Sequence, residues 1–447
     1  MNDAVVKVAR KLAAAGGRAL LVGGCVRDSL LGLQPKDFDI EVYGLSADEV
    51  IRSLSDDFSL DLVGASFGVI KLHHHEIDVA LPRRETKLGL GHKAFATDFD
   101  PSLSVREAAS RRDFTINAIY RDPLSGEIID PWNGRADLEE KLLRHVSGHF
   151  AEDPLRVLRG MQFVARFDLK SAPETLEICR GMTSENLAKE RLFEEWSKLL
   201  TKGTHISKGL EFLRCVGWLR YYPELEALVG CEQDSEWHPE GDVWRHTLKS
   251  LDAYAKSRPA ETDSREEIIV ALGVLCHDFG KPATTSFDPV KKRIRSLGHD
   301  EAGVEPTLAF LRRLTDEERI LKDVPPLVRL HMRPFALWRD ASSDNAIRRL
   351  ASEVRRIDRL VRVAAADSGA VGEMPQSCKW LLAAAERLEI ADSAPKPILM
   401  GRDLISLGLK PGESFGEILK SAYEAQLDGK FHDLDGAIAF IRRTGAI

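Results

Sequence analysis

The chain has 447 residues, 43% hydrophobic and 30% charged, which at roughly 100–200 residues per domain accommodates two to four domains with their own cores and excludes a largely disordered chain. No window approaches the roughly 18 consecutive apolar residues of a membrane span, and 63 Lys+Arg against 70 Asp+Glu leave a formal charge of −7, which excludes a surface built wholly for nucleic acid but not a local basic groove. The opening residues, MNDAVVKVARKLAAAGG, read as an amphipathic helix without the layout of a cleavable signal, and Cys25, Cys179, Cys215, Cys231, Cys276 and Cys378 are scattered with no C-x-x-C. A cytoplasmic protein with buried, reduced thiols is therefore expected.

Up to about residue 135, short β-type runs alternate with helices: RALLVGG, KDFDIEVYG, FGVIKLHHHEIDVALP and NAIYRDPLSGEIIDPWNG, the last punctuated by Pro and Gly as a hairpin. From about 136 onward β-signals nearly vanish. DPLRVLRGMQFVARF, KERLFEEWSKLL and ISKGLEFLRCVGWL repeat apolar residues at three- and four-residue steps, the amphipathic helix pattern. Breaks fall at GCEQDSEWHPEGD (230–242), at SRPAETDSRE and at IADSAPKP (390–397).

In LLVGGCVRDSLLGLQPKDFDIEVYG a short strand leads to Gly23-Gly24, then a helix start with Arg27 and Asp28, then a strand with Asp37 and Asp39. Carboxylates two apart on a strand share a face, the arrangement that holds Mg²⁺, a hard cation reached through one or two carboxylates with substrate phosphates completing its shell. The glycines let backbone N–H groups approach phosphate oxygens. Singly, a GG turn is a tight turn and a D-x-D is a solvated strand face; the combination at this spacing is more specific.

G-G-x-V-R-D-x-L-L-G followed by D-x-D-I, with RRDFTINA at 111–118 and EDPLRVLR at 152–159, resembles the class II template-independent nucleotidyltransferases, the bacterial CCA-adding enzymes and poly(A) polymerases, over about residues 20–200. The resemblance implies that Asp37 and Asp39 bind catalytic Mg²⁺, that Gly23, Gly24 and Arg27 contact the triphosphate, and that Arg112, Asp113 and Asn117 recognise the ribose. It also implies that Glu152, Asp153, Arg156 and Arg159 form a protein template for the base. The chemistry of that pair is legible: a carboxylate only accepts hydrogen bonds and a guanidinium only donates them, so Asp153 with Arg156, three apart and expected on one helix face, selects cytosine and adenine over uracil and guanine. Asp78 in HEIDVAL is a third carboxylate on an adjacent strand. Glu190, Arg191 and Glu195 of KERLFEEW resemble the family's E-R-(x)n-E helix and are expected to brace the neck.

Further on come HPEGDVWRHTL (His238, His246), LCHDFGKP (His277, Asp278), GHDEAG (His299), RLHMRP (His331) and AAADSGA (Asp367). Imidazole with carboxylate is a ligand set for Mn²⁺, Fe²⁺, Ni²⁺, Co²⁺ or Zn²⁺. The order H…HD…H…H…D resembles the HD phosphohydrolase superfamily, whose metals generate a hydroxide for phosphoester hydrolysis. The resemblance carries over most directly to His246, His277, Asp278 and Asp367; His299 and His331 then belong to a second metal or to phosphate, and Lys281 lies near the substrate phosphate.

The resemblances imply an α+β chain: a mixed α/β nucleotidyltransferase palm, or head, over 1–135; a helical neck and body with the base-selecting helix over 136–232; a helical HD-type phosphohydrolase domain over 233–390; and a helical tail over 391–447. The implied activity is addition of CCA to tRNA 3′ ends from CTP and ATP, with neither membrane nor DNA as partner, joined by a phosphatase or 2′,3′-cyclic phosphodiesterase. Poly(A) polymerase or A-adding activity shares the head motifs. The stretch ALPRRETKLGLGHKAFATDFDPSLSVREAAS matches the flexible loop that CC-adding enzymes lack. From another class, an HD phosphohydrolase with an RNA-binding head remains open.

Overall fold

The computed structural model describes residues 2–62, 69–87, 95–185, 187–259 and 263–445. The chain divides into two compact units, Met1–Leu199 with Lys208–Tyr221, and Leu200–Ser207 with Tyr222–Ile447. The expected divisions at 135, 232 and 390 are finer than this partition.

The first unit carries the expected mixed head. Its strands are β1 (Arg18–Val22), β2 (Phe38–Tyr43), β3 (Leu60–Asp61), β4 (Val69–Leu72), β5 (Ile77–Ala80), the pair β6 (Arg83–Lys87) and β7 (Phe95–Phe99), then β8 (Tyr120–Arg121) and β9 (Ile128–Ile129). Seven form one sheet in the order β3-β4-β5-β2-β1-β8-β9, while β6 and β7 pair separately. β2 runs antiparallel to β1 and parallel to β5. The apolar run of β1 is explained by burial on both faces: Ala19 and Leu21 join a core with Val5, Val8, Ala9 and Leu12 of the Asp3–Ala14 helix, and Leu20 and Val22 join one with Ala109, Ala118 and Tyr120. On β2, Ile40 and Val42 enter the first core, so by the two-residue period of a strand Asp39 and Glu41 stand on the other face. The expected hairpin is β8–β9. The centre of the expected flexible stretch, 88–94, lies outside the described residues.

The expected helices are present at Leu155–Phe167, Lys189–Lys202 and Ile206–Cys215. In the second unit the Ser264–Cys276 helix is buried from Glu267 to Cys276 and packs against the Val243–Ser257, Glu318–Leu330 and Ile357–Asp367 helices. The tail has its own small core around Leu404, Ile418, Phe431 and Ile441. Two elements depart from the mostly helical expectation beyond residue 136: Leu142–Leu143 pairs in parallel with Lys170–Ser171 in the first unit, and in the second Thr285–Asp288 and Arg293–Ser296 form an antiparallel hairpin. The hairpin's four-residue strands mix apolar and charged side chains too briefly for a period to declare itself. No described helix is long and apolar enough to cross a membrane.

Candidate functional site

Two clusters of chemistry-bearing residues are assembled, one in each unit. In the first, Gly23 ends β1 with φ of +79° and begins the Gly24–Leu30 helix. This left-handed turn favours glycine, and a Cβ there would be in ordinary contact with Asp39 Oδ2 at 3.4 Å and Arg112 Nη1 at 3.5 Å. The backbone thus comes directly beside the carboxylate and the guanidinium.

Asp37 and Asp39 are both exposed, and Asp39 faces Asp78 of β5 in register; Asp78 in turn pairs with Lys71 at 3.3 Å. Desolvation raises the Asp39 carboxyl above its ordinary value, and the Asp78 and Asp37 charges add to this against the pull of Arg112. A face of hard oxygen donors whose mutual repulsion a cation relieves fits Mg²⁺.

Glu41, two residues beyond Asp39, was not singled out in the sequence although D-F-D-I-E continues the same alternation. It is buried, accepts from Arg112 Nη2 at 2.9 Å and from Tyr120 at 3.2 Å, and receives the Tyr43 hydroxyl. It anchors Arg112 next to the Asp37/Asp39 face. Arg112 belongs to a cavity of about 400 Å³ lined also by Arg111, Arg156, Arg159, Arg191 and Asp153.

Four expected nucleotide contacts form one network, of which Asp113 and Arg159 line that cavity and Asn117 and Arg27 lie behind them. Arg159 Nε binds Asp113 Oδ2 at 2.7 Å, Asp113 Oδ1 accepts from Asn117 at 3.0 Å, and Asn117 Oδ1 accepts from Arg27 at 2.6 Å. Arg27 also binds Asp28 and lies 4.5 Å over the Phe167 ring. Burial opposes ionisation of Asp113, but Arg159, Asn117 and the Phe114 N–H overcome it and hold its carboxyl down at about 2. Glu152 is held by Arg111 at 2.6 Å.

The expectation that Asp153 and Arg156 share one helix is corrected. Pro154 caps the Leu155–Phe167 helix, and Asp153 before it is extended, at φ −123° and ψ 104°, as a residue preceding proline prefers. Its Oδ1 accepts the Leu155 N–H at 3.1 Å and its Oδ2 takes Arg191 at 2.8 Å. Arg156 donates to the carbonyls of His149 and Arg111, at 2.7 and 2.5 Å. Glu195 is buried and meets Lys198 at 3.0 Å, consistent with a bracing residue, whereas Arg191 lines the cavity itself.

In the second unit the histidines and aspartates converge from five segments. His277, at the C-cap of the buried Ser264–Cys276 helix, donates Nδ1–H to Val274 O at 2.7 Å; His299 and His331 do the same to Ser296 O and Val328 O at 2.8 and 2.6 Å. A carbonyl only accepts, so the proton on Nδ1 is fixed and each Nε2 is directed to the centre as the atom that can take a proton or a cation. His246 reaches the same state through Glu240, 2.7 Å from its Nδ1. His246 and His277 Nε2 lie 2.9 and 3.3 Å from Asp367 Oδ1, and His277 Nε2 is 3.3 Å from Asp278 Oδ2. Asp278 Oδ1 faces His299 at 3.5 Å, with His331 Nε2 3.3 Å from that of His299. Asp278 therefore stands between a His246/His277/Asp367 group and a His299/His331 group.

The Asp278 carboxylate is fully buried, with the Lys281 ammonium 2.7 Å from Oδ2. A buried carboxylate demands compensating charge. Burial alone would lower the His277 pKa, but Asp278 and Asp367 raise it to about 10, a field that favours a cation at its Nε2. Burial holds His331 down at about 4, in the neutral form a metal needs. Glu240, like Glu41, is a supporting carboxylate absent from the sequence expectation; it lies in HPEGDVWRH, and its distance from His246 along the chain gave no ligand spacing.

Residues 19–144 match the family described as Poly A polymerase head domain. Over 99% of this chain and 98% of the other, the fold is similar to the Bacillus stearothermophilus CCA-adding enzyme crystallised with CTP, at 22% identity and a TM-score of 0.68. The Thermotoga maritima CCA-adding enzyme complexed with tRNA-CCA aligns over 99% of this chain and 95% of its own, at 18% identity and 0.58. A tRNA-processing enzyme in an apo form aligns over 91% and 94%, at 21% identity and 0.59. At these identities the likeness establishes the fold, a mixed α/β head followed by a mostly helical remainder.

Proposed function

We propose that the protein is a class II tRNA nucleotidyltransferase that adds CCA to tRNA 3′ ends from CTP and ATP without a nucleic-acid template. The observation that carries this reading is the exposed Asp37/Asp39 face, with Asp78 opposite, beside a cavity lined by arginines; the likeness in fold to enzymes studied with CTP and with tRNA supports it. In the reaction the tRNA 3′ hydroxyl oxygen bonds to the α-phosphorus in line, the bond to the β-phosphate oxygen breaks, and pyrophosphate leaves. Asp37 and Asp39 would hold Mg²⁺, which when bound activates the attacking hydroxyl and stabilises the leaving group.

The chain's own residues position the nucleotide. Arg112, braced by Glu41 and Tyr120, offers a fixed guanidinium next to Gly23 for phosphate oxygens. Asp153 accepts from the amino group of cytosine or adenine and Arg156 donates to the adjacent ring nitrogen. For the base to engage, Arg191 must yield Asp153 and Arg156 must release at least one carbonyl. The test is incubation of the protein and Mg²⁺ with tRNA ending at the discriminator base, with each NTP separately and with CTP plus ATP. A defined CCA end supports the reading; a single A or a long A tail assigns A-adding or poly(A) polymerase activity, and no addition refutes nucleotidyl transfer.

A second activity is favoured by the convergent Nε2 atoms around buried Asp278. These residues would hold one or two divalent transition ions that supply a hydroxide for hydrolysis of 2′,3′-cyclic phosphate or 2′-phosphate ends. Such a step exposes the hydroxyl that nucleotide addition requires. His277→Ala should erase hydrolysis of 2′,3′-cyclic AMP, measured with Mn²⁺, Ni²⁺ and Co²⁺ in turn, and leave nucleotide incorporation nearly intact. Wild-type protein that binds none of these metals and hydrolyses no such substrate would reduce the cluster to a scaffold.

A further inference from the structure

We infer that the His/Asp cluster serves the 3′ end of a single-stranded RNA, with Trp237 stacking on the terminal base and the Thr285–Ser296 hairpin guiding the strand. The inference rests on the hydrolase reading and adds its substrate class. A cavity of about 280 Å³ opens beside His299, His331, Asp278 and Asp367, near the lower end of small-ligand pockets at roughly 300 Å³ and thus room for about one nucleotide. Trp237 borders it and is 69% exposed. A large aromatic ring left in solvent beside a phosphate-binding site has unused stacking surface, and every base can fill it.

The same cavity holds a cation not committed elsewhere. Lys281 is engaged by Asp278 and Gln233, and Arg295 by Asp288 at 3.1 Å. Arg293 Nε, by contrast, is buried without a hydrogen-bond partner among the described residues. A buried N–H left unpaired is costly, and a phosphate oxygen would satisfy it.

The favoured substrate is a strand because the cavity does not end there. A second cavity, of about 760 Å³, shares Gln233, Asp234, Arg293 and Ile294 with the first and adds Phe287, Lys291 and Lys292. Phe287 is 63% exposed and pairs with Ile294 across the hairpin. Asp234 and Glu236 also border it, but Asp234 Oδ1 is occupied by the Glu236 N–H at 3.0 Å. One exposed ring and several cations in each of the two adjoining cavities suit a backbone with unstacked bases.

The test compares 2′,3′-cyclic AMP with a trinucleotide ending in 2′,3′-cyclic phosphate, using full-length Mn²⁺-loaded protein. The trinucleotide should show a KM at least tenfold lower. Trp237→Ala should raise KM for both about tenfold with kcat within twofold, the size expected for one lost base stack. Lys291→Ala/Lys292→Ala should raise KM for the trinucleotide alone. Equal KM values for the two substrates, or no effect of Trp237→Ala, overturn the inference. Should neither substrate be hydrolysed, the hydrolase reading fails, and tryptophan quenching by the same trinucleotide with a free 2′,3′-diol judges the pocket separately. Quenching lost in Trp237→Phe upholds the pocket, and its absence in wild type refutes it.

Discussion

Gly280 offers the sharpest test of the second cluster, because it touches no ligand and yet sets where one lies. In HDFGKP it immediately precedes Lys281, and its backbone lies so close to the turn carrying His299 that an added Cβ would sit 2.0 Å from His299 O and 2.6 Å from Gly303 N. Ordinary contact begins near 3.4 Å, so Gly280→Ala must open the two segments by about 1.4 Å. Overpacking of this kind costs roughly 1–3 kcal/mol, and at about 2–4 °C per kcal/mol for a unit of this size the unfolding transition should fall several degrees. The functional loss should be larger than the stability loss. Metal–ligand distances tolerate only about ±0.2 Å, and a shift of about 1 Å at His299 takes its Nε2 out of reach of a cation held by Asp278 and His331. Metal content after dialysis against Mn²⁺ should drop on the His299/His331 side, and cyclic-phosphate hydrolysis should fall about 10²-fold, the scale of a 1 Å misplacement. Nucleotide addition should persist. A folded Gly280→Ala protein with wild-type metal content and turnover would refute the close approach as the determinant of His299.

Asp39→Asn removes an oxygen charge from an exposed strand position, so nucleotide addition should disappear while tRNA binding, followed by gel shift, survives; addition within about tenfold, roughly 1.4 kcal/mol of barrier, would take Asp39 out of the reaction. Arg156→Ala should lower discrimination of C and A against U at least tenfold in single-nucleotide incorporation, and it should also lower Tm, since the side chain ties the carbonyls of His149 and Arg111. Unchanged exclusion of U and G would place base selection elsewhere. Asp113 has a carboxyl held at about 2 against 3.8 unperturbed; its contribution to stability is complete above pH about 4 and is lost as pH falls toward 2. That contribution is on the order of 2 kcal/mol, so denaturant titrations should show a shallower acid limb for Asp113→Asn than for wild type, and parallel limbs would refute the pairing with Arg159.

Local periodicity and spacing determined much of this protein from sequence alone. The double-sided burial of RALLV, the D-x-D face of β2, the Asp3–Ala14 and Leu155–Phe167 helices and the β8–β9 hairpin are each encoded within a dozen or so residues, because strand and helix periods sort side chains without reference to the rest of the chain. The motif order from His246 to Asp367 likewise named the residues that meet around Asp278. What only the tertiary structure decided are pairings between distant residues of ordinary type. Arg112 meets Glu41 and Arg191 meets Asp153 across 71 and 38 positions, and no local pattern says that these residues pair. Asp153 left its expected helix because Pro154 caps that helix one residue later. The Thr285–Ser296 hairpin stayed hidden because two four-residue strands rich in charge carry too little alternation to be read. Its position beside the His/Asp cluster follows from packing: Gly280 admits the His299 turn, and Arg293 of the hairpin lines the cavity next to His299.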